Sequence, residues 1–196
     1  GHPVGLDLGR AGSRLFLLMM SVGIDAEVVH RMQAARTGHI TRAAYFRPAL
    51  TSIRQYQYPA LRVTCEDSNG ESDPLCCRWL LGFNLPCYAR GLPFAPHADS
   101  ADGLLDVCTF ERGSLWHALR YYWHVARGVH ANLPDVRQFR RGKFRVAADD
   151  GSPVAVQVDG DGAGTLPLDV EISRGALTMM VSAAGAERLG FTTTHD

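Results

Sequence analysis

Short apolar segments separated by turn residues follow one another along most of the chain. Residues 14–22 are predominantly apolar and end at Gly23, which predicts a strand that is buried on both faces. Residues 60–66 alternate between apolar and polar side chains, and the apolar residues 75–85 come after a turn-rich stretch, 68–74. These two segments are therefore predicted to pair as a β-hairpin.

Helical patterns are fewer. Asp25 is placed to cap a helix over residues 26–35, and residues 40–55 carry apolar side chains at helical spacing. Ser114 is predicted to cap an amphipathic helix over residues 115–127. The remaining strands are predicted at 104–111, 139–147, 154–159, 168–173 and 176–182.

The order of these elements predicts the fold class. Strands joined by short turns, with no regular alternation of strand and helix, favour a mainly β fold, an antiparallel β-sandwich with a few helices. We predict one domain over residues 14–182. Residues 1–13 are interpreted as the chain start and a linker, and residues 183–196 as a loose tail.

Composition narrows the class of protein. Apolar residues make up 46% of the chain and charged residues 20%, as in ordinary globular domains. Twenty basic residues balance twenty acidic ones, so we expect no nucleic-acid partner. Every basic residue except Lys143 is Arg, which suggests a GC-rich bacterial genome. Five cysteines without a C-x-x-C pair indicate a reducing, cytoplasmic location.

Three carboxylates crowd one predicted turn, at Asp99, Asp102 and Asp106. Together with backbone carbonyls freed by Gly103, they offer the oxygen ligands that Mg²⁺ or Ca²⁺ accepts. The alternative is a plain Asp-Gly hairpin turn in which Asp99 and Asp106 are solvated. Spacing alone favours this alternative.

A second acidic turn, Asp159-Gly160-Asp161, ends a predicted strand. A carboxylate here can act as a general base or contact a metal-bound phosphate. The alternative is again an ordinary hairpin turn.

Two further patterns are open to two interpretations. A basic cluster interleaved with aromatic residues suits either an anionic lipid surface or the solvated face of an edge strand. It comprises Arg137, Arg140, Arg141, Lys143 and Arg145. A stripe on the helix over 115–127 suits either the core or a lipid groove. It comprises Trp116, Leu119, Tyr122, Trp123 and Ala126.

Several motifs in order along the chain resemble the C-terminal half of the diacylglycerol kinase catalytic family, which includes bacterial lipid kinases and sphingosine kinases. The matching residues are Phe16, Gly23, Asp25 and Ala26, then Leu81-Gly-Phe-Asn84, Tyr88 and Gly91, then Ala95-Pro96 and Ala98, then Asp102-Gly-Leu-Leu-Asp106, then Gly128 and His130, and finally Val158-Asp159-Gly160-Asp161. The resemblance spans residues 14–182.

This resemblance implies a two-domain kinase. An N-terminal domain with a Gly-Gly-Asp-Gly-Thr loop binds ATP in such proteins, and the second domain, a β-sandwich, receives the lipid. The sequence contains no such loop, so only the second half is expected here. By resemblance, Asp102 would hold a structural Mg²⁺ with backbone oxygens near Asp99 and Leu104. The resemblance also makes Asp161 the predicted catalytic base, with Asp159 and Gly160 as the predicted cofactor-binding residues. Asp161 stands where the family has a Glu proposed as the base, and this shorter side chain departs from the pattern.

The expected function is therefore an ATP-dependent lipid kinase that phosphorylates a hydroxyl of a diacylglycerol-like or sphingoid lipid, peripherally associated with a membrane. One alternative is a non-catalytic module that binds a lipid or a protein partner. Another is a relative of the polyphosphate or NAD kinases, which the segment from Asp102 to Val107 disfavours. An exposed sheet edge also leaves a homodimer open.

Overall fold

Two six-stranded antiparallel sheets form the body of the protein. The structure, a computed structural model, describes residues 1–34, 54–67, 70–71, 74–86 and 92–188. Sheet A has the strand order β2-β1-β14-β11-β4-β7, and sheet B has the order β10-β9-β8-β3-β12-β13. This arrangement confirms the predicted antiparallel β-sandwich with a few helices.

The strands in the described ranges are β1 (His2–Ala11), β2 (Arg14–Phe16), β3 (Met19–Val22), β4 (Leu61–Thr64), β5 (Glu66–Asp67), β6 (Gly70–Glu71), β7 (Leu75–Cys77), β8 (Trp79–Phe83), β9 (Leu105–Phe110), β10 (Val136–Arg141), β11 (Lys143–Ala148), β12 (Ala155–Val158), β13 (Asp161–Thr165) and β14 (Leu168–Val181). The helices with described bounds are α1 (Ile24–Ala34), α2 (Leu115–Ala126), α3 (Ala183–Arg188) and the short 3-10 helix His130–Asn132.

Apolar side chains fill two layers. The first cluster lies between the sheets and includes Phe144 and Val170 from sheet A and Val107 and Val156 from sheet B. The second lies on the other face of sheet B, where α1 and α2 cover it, and contains Trp79, Leu81, Phe110, Tyr121 and Val125. Because both faces of sheet B are covered, every residue of β8 is buried, which explains its continuous apolar sequence.

Three predicted strands divide where the chain passes between the sheets. Residues 14–22 form β2 in sheet A and β3 in sheet B, separated by Leu17 and Leu18. Residues 75–85 divide at Arg78, and residues 139–147 divide at Gly142. The hydrophobic pattern does not reveal these crossings, since both sheets face the same core.

The ends of the chain correct the predicted domain boundaries. Residues 1–13 are not a linker, because β1 pairs with β14 from His2 to Ala11 and buries Val4 and Leu6. Residues 168–181 form one strand, β14, with an irregularity opposite β1 rather than two strands. The predicted loose tail begins with a helix, α3, in which Ala183 is the first residue.

The predicted N-terminal cap is confirmed for α2 and wrong for α1. Ser114 caps α2, since its hydroxyl accepts a hydrogen bond from the His117 backbone N–H at 3.2 Å. Asp25 does not cap α1 but lies inside it, with a buried carboxylate. The predicted helix over 40–55 lies almost wholly outside the described residues.

Candidate functional site at one end of sheet B

Both acidic turns lie at the same end of sheet B. Asp106 on β9 is opposite Phe83 on β8, and Phe83 is opposite Met19 on β3. The Met19 carbonyl then accepts a hydrogen bond from the Asp159 N–H at 2.9 Å. Three strand spacings, about 14 Å, separate β9 from β12. The two turns are therefore neighbours, but they are too far apart to hold one cation together.

The second acidic turn is a two-residue hairpin. Val158 pairs with Asp161, and the two residues between them, Asp159 and Gly160, have φ of 49° and 87°. Positive φ at both positions is typical of a type I′ turn, which Asp-Gly favours because Gly has no side chain to clash and Asp tolerates this conformation. The turn places Asp161 at the first position of β13.

The Asp159 carboxylate is engaged by the backbone. It accepts hydrogen bonds from the N–H groups of Leu17 at 2.7 Å and of Leu18 and Met19 at 2.9 Å. These three donors belong to the segment that crosses from sheet A to sheet B. Asp159 therefore fixes the crossing, and a cofactor contact by its carboxylate would have to compete with three N–H donors.

Asp161 is exposed, and its carboxylate is oriented by α1. The Gln33 amide donates to Asp161 Oδ1 at 2.9 Å and to the Gly160 carbonyl at 3.3 Å. The same amide accepts a hydrogen bond from the Gly162 N–H at 3.2 Å. Within the described part of the chain, no salt bridge to Asp161 is found. Its carboxylate is held in place yet accessible, as a general base requires.

Close packing keeps α1 on this hairpin. A Cβ at Gly162 would lie 2.9 Å from His30 Nε2 and 3.2 Å from Gln33 Oε1. His30 Nε2 lies 3.1 Å from the Val156 carbonyl, to which it donates in the Nε2–H tautomer. Glycine at 162 thus permits the helix to approach closely enough for Gln33 to reach Asp161.

A buried polar group supports the turn from inside. The Asp25 carboxylate accepts a hydrogen bond from the Ser21 hydroxyl at 2.6 Å and from the Gln157 amide at 3.2 Å. The carbonyl of that amide accepts from the Gly160 N–H at 2.9 Å. Asp25 therefore positions the hairpin through Gln157 and does not itself face solvent.

The first acidic turn has a different character. Asp102 Oδ1 accepts from the Leu104 N–H at 2.9 Å, and Oδ2 forms an ion pair with Arg140. The Asp102 carbonyl accepts from the Arg174 guanidinium at 2.8 Å. Asp99 is exposed, and its carboxylate accepts from the Ala101 N–H at 3.0 Å.

This donor set does not fit a cation as it stands. Two guanidinium groups and one N–H already engage the oxygens of Asp102, and Mg²⁺ would have to displace them. Among the described residues there is also no group of three or more His, Cys, Asp or Glu side chains that could hold a metal. The predicted magnesium site on Asp99, Asp102 and Leu104 is therefore untested and disfavoured by this geometry, and no chemical step is assigned to it.

Asp7 organises the turn, although the sequence analysis placed it in a linker. Asp7 is 1% exposed, and its carboxylate accepts hydrogen bonds from the Gly103 N–H at 2.6 Å and the Gly175 N–H at 2.7 Å. Its backbone N–H donates to the Ser100 carbonyl at 2.7 Å. The alternation of Val4, Leu6 and Leu8 was the available signal for a strand here, but the intervening glycines and Pro3 weaken it.

Asn84 links the two acidic turns. Its buried side-chain amide donates to the carbonyls of Asp7 and Leu17, both at 2.8 Å. Since Asp159 accepts the N–H of Leu17, the crossing segment is bound on one side by Asn84 and on the other by Asp159. Asn84 belongs to a motif that the sequence analysis noted without a role, whereas no sequence pattern indicated Gln33.

A cavity of about 320 Å³ opens beside Asp106. Burial raises the pKa of Asp106; the negative charge of Asp99 adds to this shift, and His97 opposes it. Arg140 Nε lies 3.4 Å from Asp106 Oδ2. The same guanidinium forms an ion pair with Asp102, so the two carboxylates share one arginine. The cavity walls include Phe94, Cys108, Gln138 and Phe139.

Comparison with known proteins identifies a family that the chain matches. Residues 19–181 match the model of the YegS C-terminal NAD kinase beta sandwich-like domain. Among curated proteins, the chain is similar to proteins named diacylglycerol kinase from two Mycobacterium tuberculosis strains, CDC 1551 / Oshkosh and ATCC 25618 / H37Rv. Each is 26% identical over 186 residues, which cover 92% of this chain and 58% of the relative.

Solved structures agree on the fold. A crystal structure of a putative diacylglycerol kinase from Bacillus anthracis str. Sterne superposes with a TM-score of 0.64 at 17% identity and covers 93% of this chain and 58% of that one. A second structure of a putative diacylglycerol kinase from the same strain gives 0.61 at 18% identity, with 93% and 59% covered. The chain thus spans somewhat more than half the length of the relatives it matches.

Proposed function

The chain belongs to the family of YegS C-terminal NAD kinase beta sandwich-like domains, and from this premise we propose that it is the lipid-receiving half of an ATP-dependent lipid kinase. Diacylglycerol-like or sphingoid lipids are the proposed substrates. ATP is the proposed co-substrate, bound mainly by a separate N-terminal domain. The relatives named diacylglycerol kinase, of which the chain spans 58%, support this division of labour.

The position of Asp161 carries the proposal. This carboxylate is exposed at the end of sheet B and held by Gln33, so it can meet a substrate hydroxyl without losing its orientation. In the proposed reaction, Asp161 accepts the hydroxyl proton as the lipid oxygen bonds to the γ-phosphorus of ATP. The bond from that phosphorus to the β-phosphate oxygen breaks, and ADP leaves.

Asp in place of the expected Glu is compatible with this role here. An aspartate carboxylate lies closer to its backbone by one methylene, and a displacement of about 1 Å can cost about 100-fold in rate. The hydrogen bond from Gln33 fixes the shorter side chain, so a substrate can approach a defined position. We propose that Gln33 is a positioning residue for Asp161.

The test uses the full-length gene product, the 196-residue chain and mixed micelles of diacylglycerol or sphingosine with Mg²⁺ and radiolabelled ATP. We expect phospholipid product from the full-length protein and none from the chain alone. Asp161→Asn should lower kcat/KM at least about 100-fold, because the amide cannot accept the proton. Asp161→Glu keeps a carboxylate that can accept the proton but moves it by one methylene from the position that Gln33 fixes, so kcat/KM should fall by less than for Asp161→Asn.

Asp169→Asn is the matched control. Asp169 is an exposed carboxylate on sheet A that pairs with Arg145 and lies outside the site, so its loss should leave turnover unchanged. Wild-type turnover by Asp161→Asn would remove the base role. A folded full-length protein without product on either lipid would contradict the kinase proposal and favour a non-catalytic binding module.

A further inference from the structure

One face of α2 exposes large apolar side chains. Trp116 is 78% exposed, Leu119 49% and Trp123 62%. At 3.6 residues per turn these three positions fall within about 60° of one another around the helix. We refer to them as the tryptophan face. The opposite side of α2, with Tyr121 and Val125, is buried against sheet B.

The side chains of the tryptophan face are not needed to pack α2 against the core. The spacing of this stripe suits either the core or a lipid groove, and in the structure its members lie on different sides of the helix. Tyr122 packs against Trp79 and Phe94 of the second apolar layer, whereas Trp116 and Trp123 point to solvent. A helix that is already anchored by one apolar side and still exposes another usually marks an interaction surface.

The chain segment that contains the tryptophan face carries basic side chains and no acidic ones. Residues 112–134 contain no Asp or Glu but include Arg112, Arg120 and Arg127. Arg120 is paired with Asp135, whereas the Arg127 guanidinium lies over the ring of Trp123, 5.4 Å from its centroid. The flanking carboxylates, Glu111 and Asp135, are paired with Arg137 and Arg120, so the exposed Arg112 and Arg127 give this segment a local positive charge.

We propose that the tryptophan face docks the domain on an anionic lipid bilayer. Tryptophan prefers the interfacial layer of a membrane, where its apolar ring and its N–H are both accommodated. Arginines beside the apolar residues match the negative potential of an anionic leaflet. The amphipathic helix would lie in the plane of the interface, with Trp116 and Trp123 among the headgroups.

Charge complementarity favours this occupant over a second copy of the chain. An isologous dimer would bring the same acid-free segment, with Arg112 and Arg127, against itself, and like charges in contact oppose association. The proposal extends the proposed function, since a lipid substrate must be collected from a membrane, and in that respect it rests on it. Vesicle binding, however, is measured without turnover.

The experiment is co-sedimentation of the 196-residue chain with vesicles of pure phosphatidylcholine or of phosphatidylcholine with 30% phosphatidylglycerol. We expect at least about 10-fold tighter binding to the anionic vesicles. The double substitution Trp116→Ala and Trp123→Ala should weaken that binding at least about 10-fold. Arg127→Gln should weaken it about fivefold.

Fluorescence gives a second readout with an internal control. The chain has three tryptophans, and Trp79 is fully buried, so a blue shift and quenching by brominated lipid report on Trp116 and Trp123. Leu15→Ala and Met180→Ala are the matched controls, because these residues are 60% and 66% exposed in sheet A. Both should bind vesicles as the wild type does.

Three results would overturn the proposal. One is no binding to either vesicle. Another is equal binding by the double variant, which circular dichroism must show to be folded. The third is a dimer in light scattering, or a complex with the ATP-binding half, that dissociates on substitution of the tryptophan face. Kinase activity on micelles without vesicle binding would contradict only this proposal, and vesicle binding without activity would contradict only the kinase.

Discussion

The two acidic turns at the end of sheet B look alike in sequence and differ in what their carboxylates do. In the hairpin after β12, Asp161 keeps its carboxylate exposed, with Gln33 as an orienting donor. In the turn before β9, Arg140 and Leu104 engage the Asp102 carboxylate, and Asp7 binds the turn from beneath. The hairpin leaves one carboxylate, Asp161, accessible beside the structural Asp159, whereas in the other turn Asp102 is used to build the fold.

The difference comes from the neighbouring elements. α1 contributes a neutral amide to the hairpin, which orients a carboxylate without neutralising it. β10 and β14 contribute Arg140 and Arg174 to the other turn, where their charge-assisted hydrogen bonds engage the carboxylate and the carbonyl of Asp102. An Asp-Gly turn is therefore a functional candidate only when its neighbours leave an oxygen accessible.

The largest effect expected from this comparison is on stability. Asp7→Ala leaves the buried Gly103 N–H without its acceptor, which costs about 1–3 kcal/mol, and also removes the part-buried hydrogen bond from Gly175, an exposed residue, which is worth about 1 kcal/mol. We expect the free energy of unfolding to fall by about 3 kcal/mol. Asp161→Ala should change it by less than about 0.5 kcal/mol, because Asp161 is exposed.

Urea unfolding followed by circular dichroism measures both variants. If Asp161→Ala were the more destabilising substitution, the proposed difference between the two turns would be wrong, because Asp161 would then contribute more to the stability of the fold than Asp7. Asp7→Asn is an intermediate case. It keeps the size of the side chain and one acceptor oxygen, so we expect roughly half of the loss.

A smaller effect, with a pH dependence, is expected at Asp106. Its folded pKa is raised, first by burial, so the folded protein holds this proton at a pH where the unfolded chain has lost it. Stability is therefore lost as the pH rises from the unfolded value, about 4, through the folded pKa. Asp106→Asn should raise the unfolding free energy by about 0.5 kcal/mol at neutral pH and by nothing in acid.

Unfolding curves at several pH values test the sign of this effect, with Asp169→Asn as the control for an exposed carboxylate. A loss of stability on Asp106→Asn at neutral pH would show that the contact with Arg140 outweighs burial. Asp106 would then resemble Asp135. Partial burial acts to raise the pKa of Asp135, but the hydrogen bonds from Arg120 and Tyr121 outweigh it and lower that pKa.

Sequence patterns predicted much of the fold, and they failed where tertiary contacts decide. The Ser114 cap and the hairpin of β4 and β7 depend on neighbouring residues, so they were predictable. The sheet crossing at Leu17 depends on Asp159 and Asn84, which lie 142 and 67 residues away in the chain. No local pattern encodes such a contact.

The residues of the candidate site also fall into two groups, those that the sequence indicated and those whose roles depend on tertiary contacts. The turn was found because Asp-Gly is a local signal for a hairpin, and Asp161 was singled out by the resemblance to the kinase family. Gln33 and Asp7 were missed because their roles arise from packing: one lies on a helix pressed against Gly162, and the other on a strand hidden by glycines. Arg140 was noted only as part of a basic cluster, although its partner Asp102 was itself a candidate.

The smallest expected effect concerns magnesium and tests the first turn directly. Because Leu104, Arg140 and Arg174 already engage the oxygens of Asp102, 5 mM Mg²⁺ or EDTA should shift the melting temperature of the chain by less than about 1 °C. Arg140→Gln removes one competing guanidinium, so this variant should respond more to Mg²⁺ than the wild type. A saturable rise of several degrees in the wild type, lost in Asp102→Asn, would instead show that Mg²⁺ displaces Arg140, and the first turn would then be a metal site.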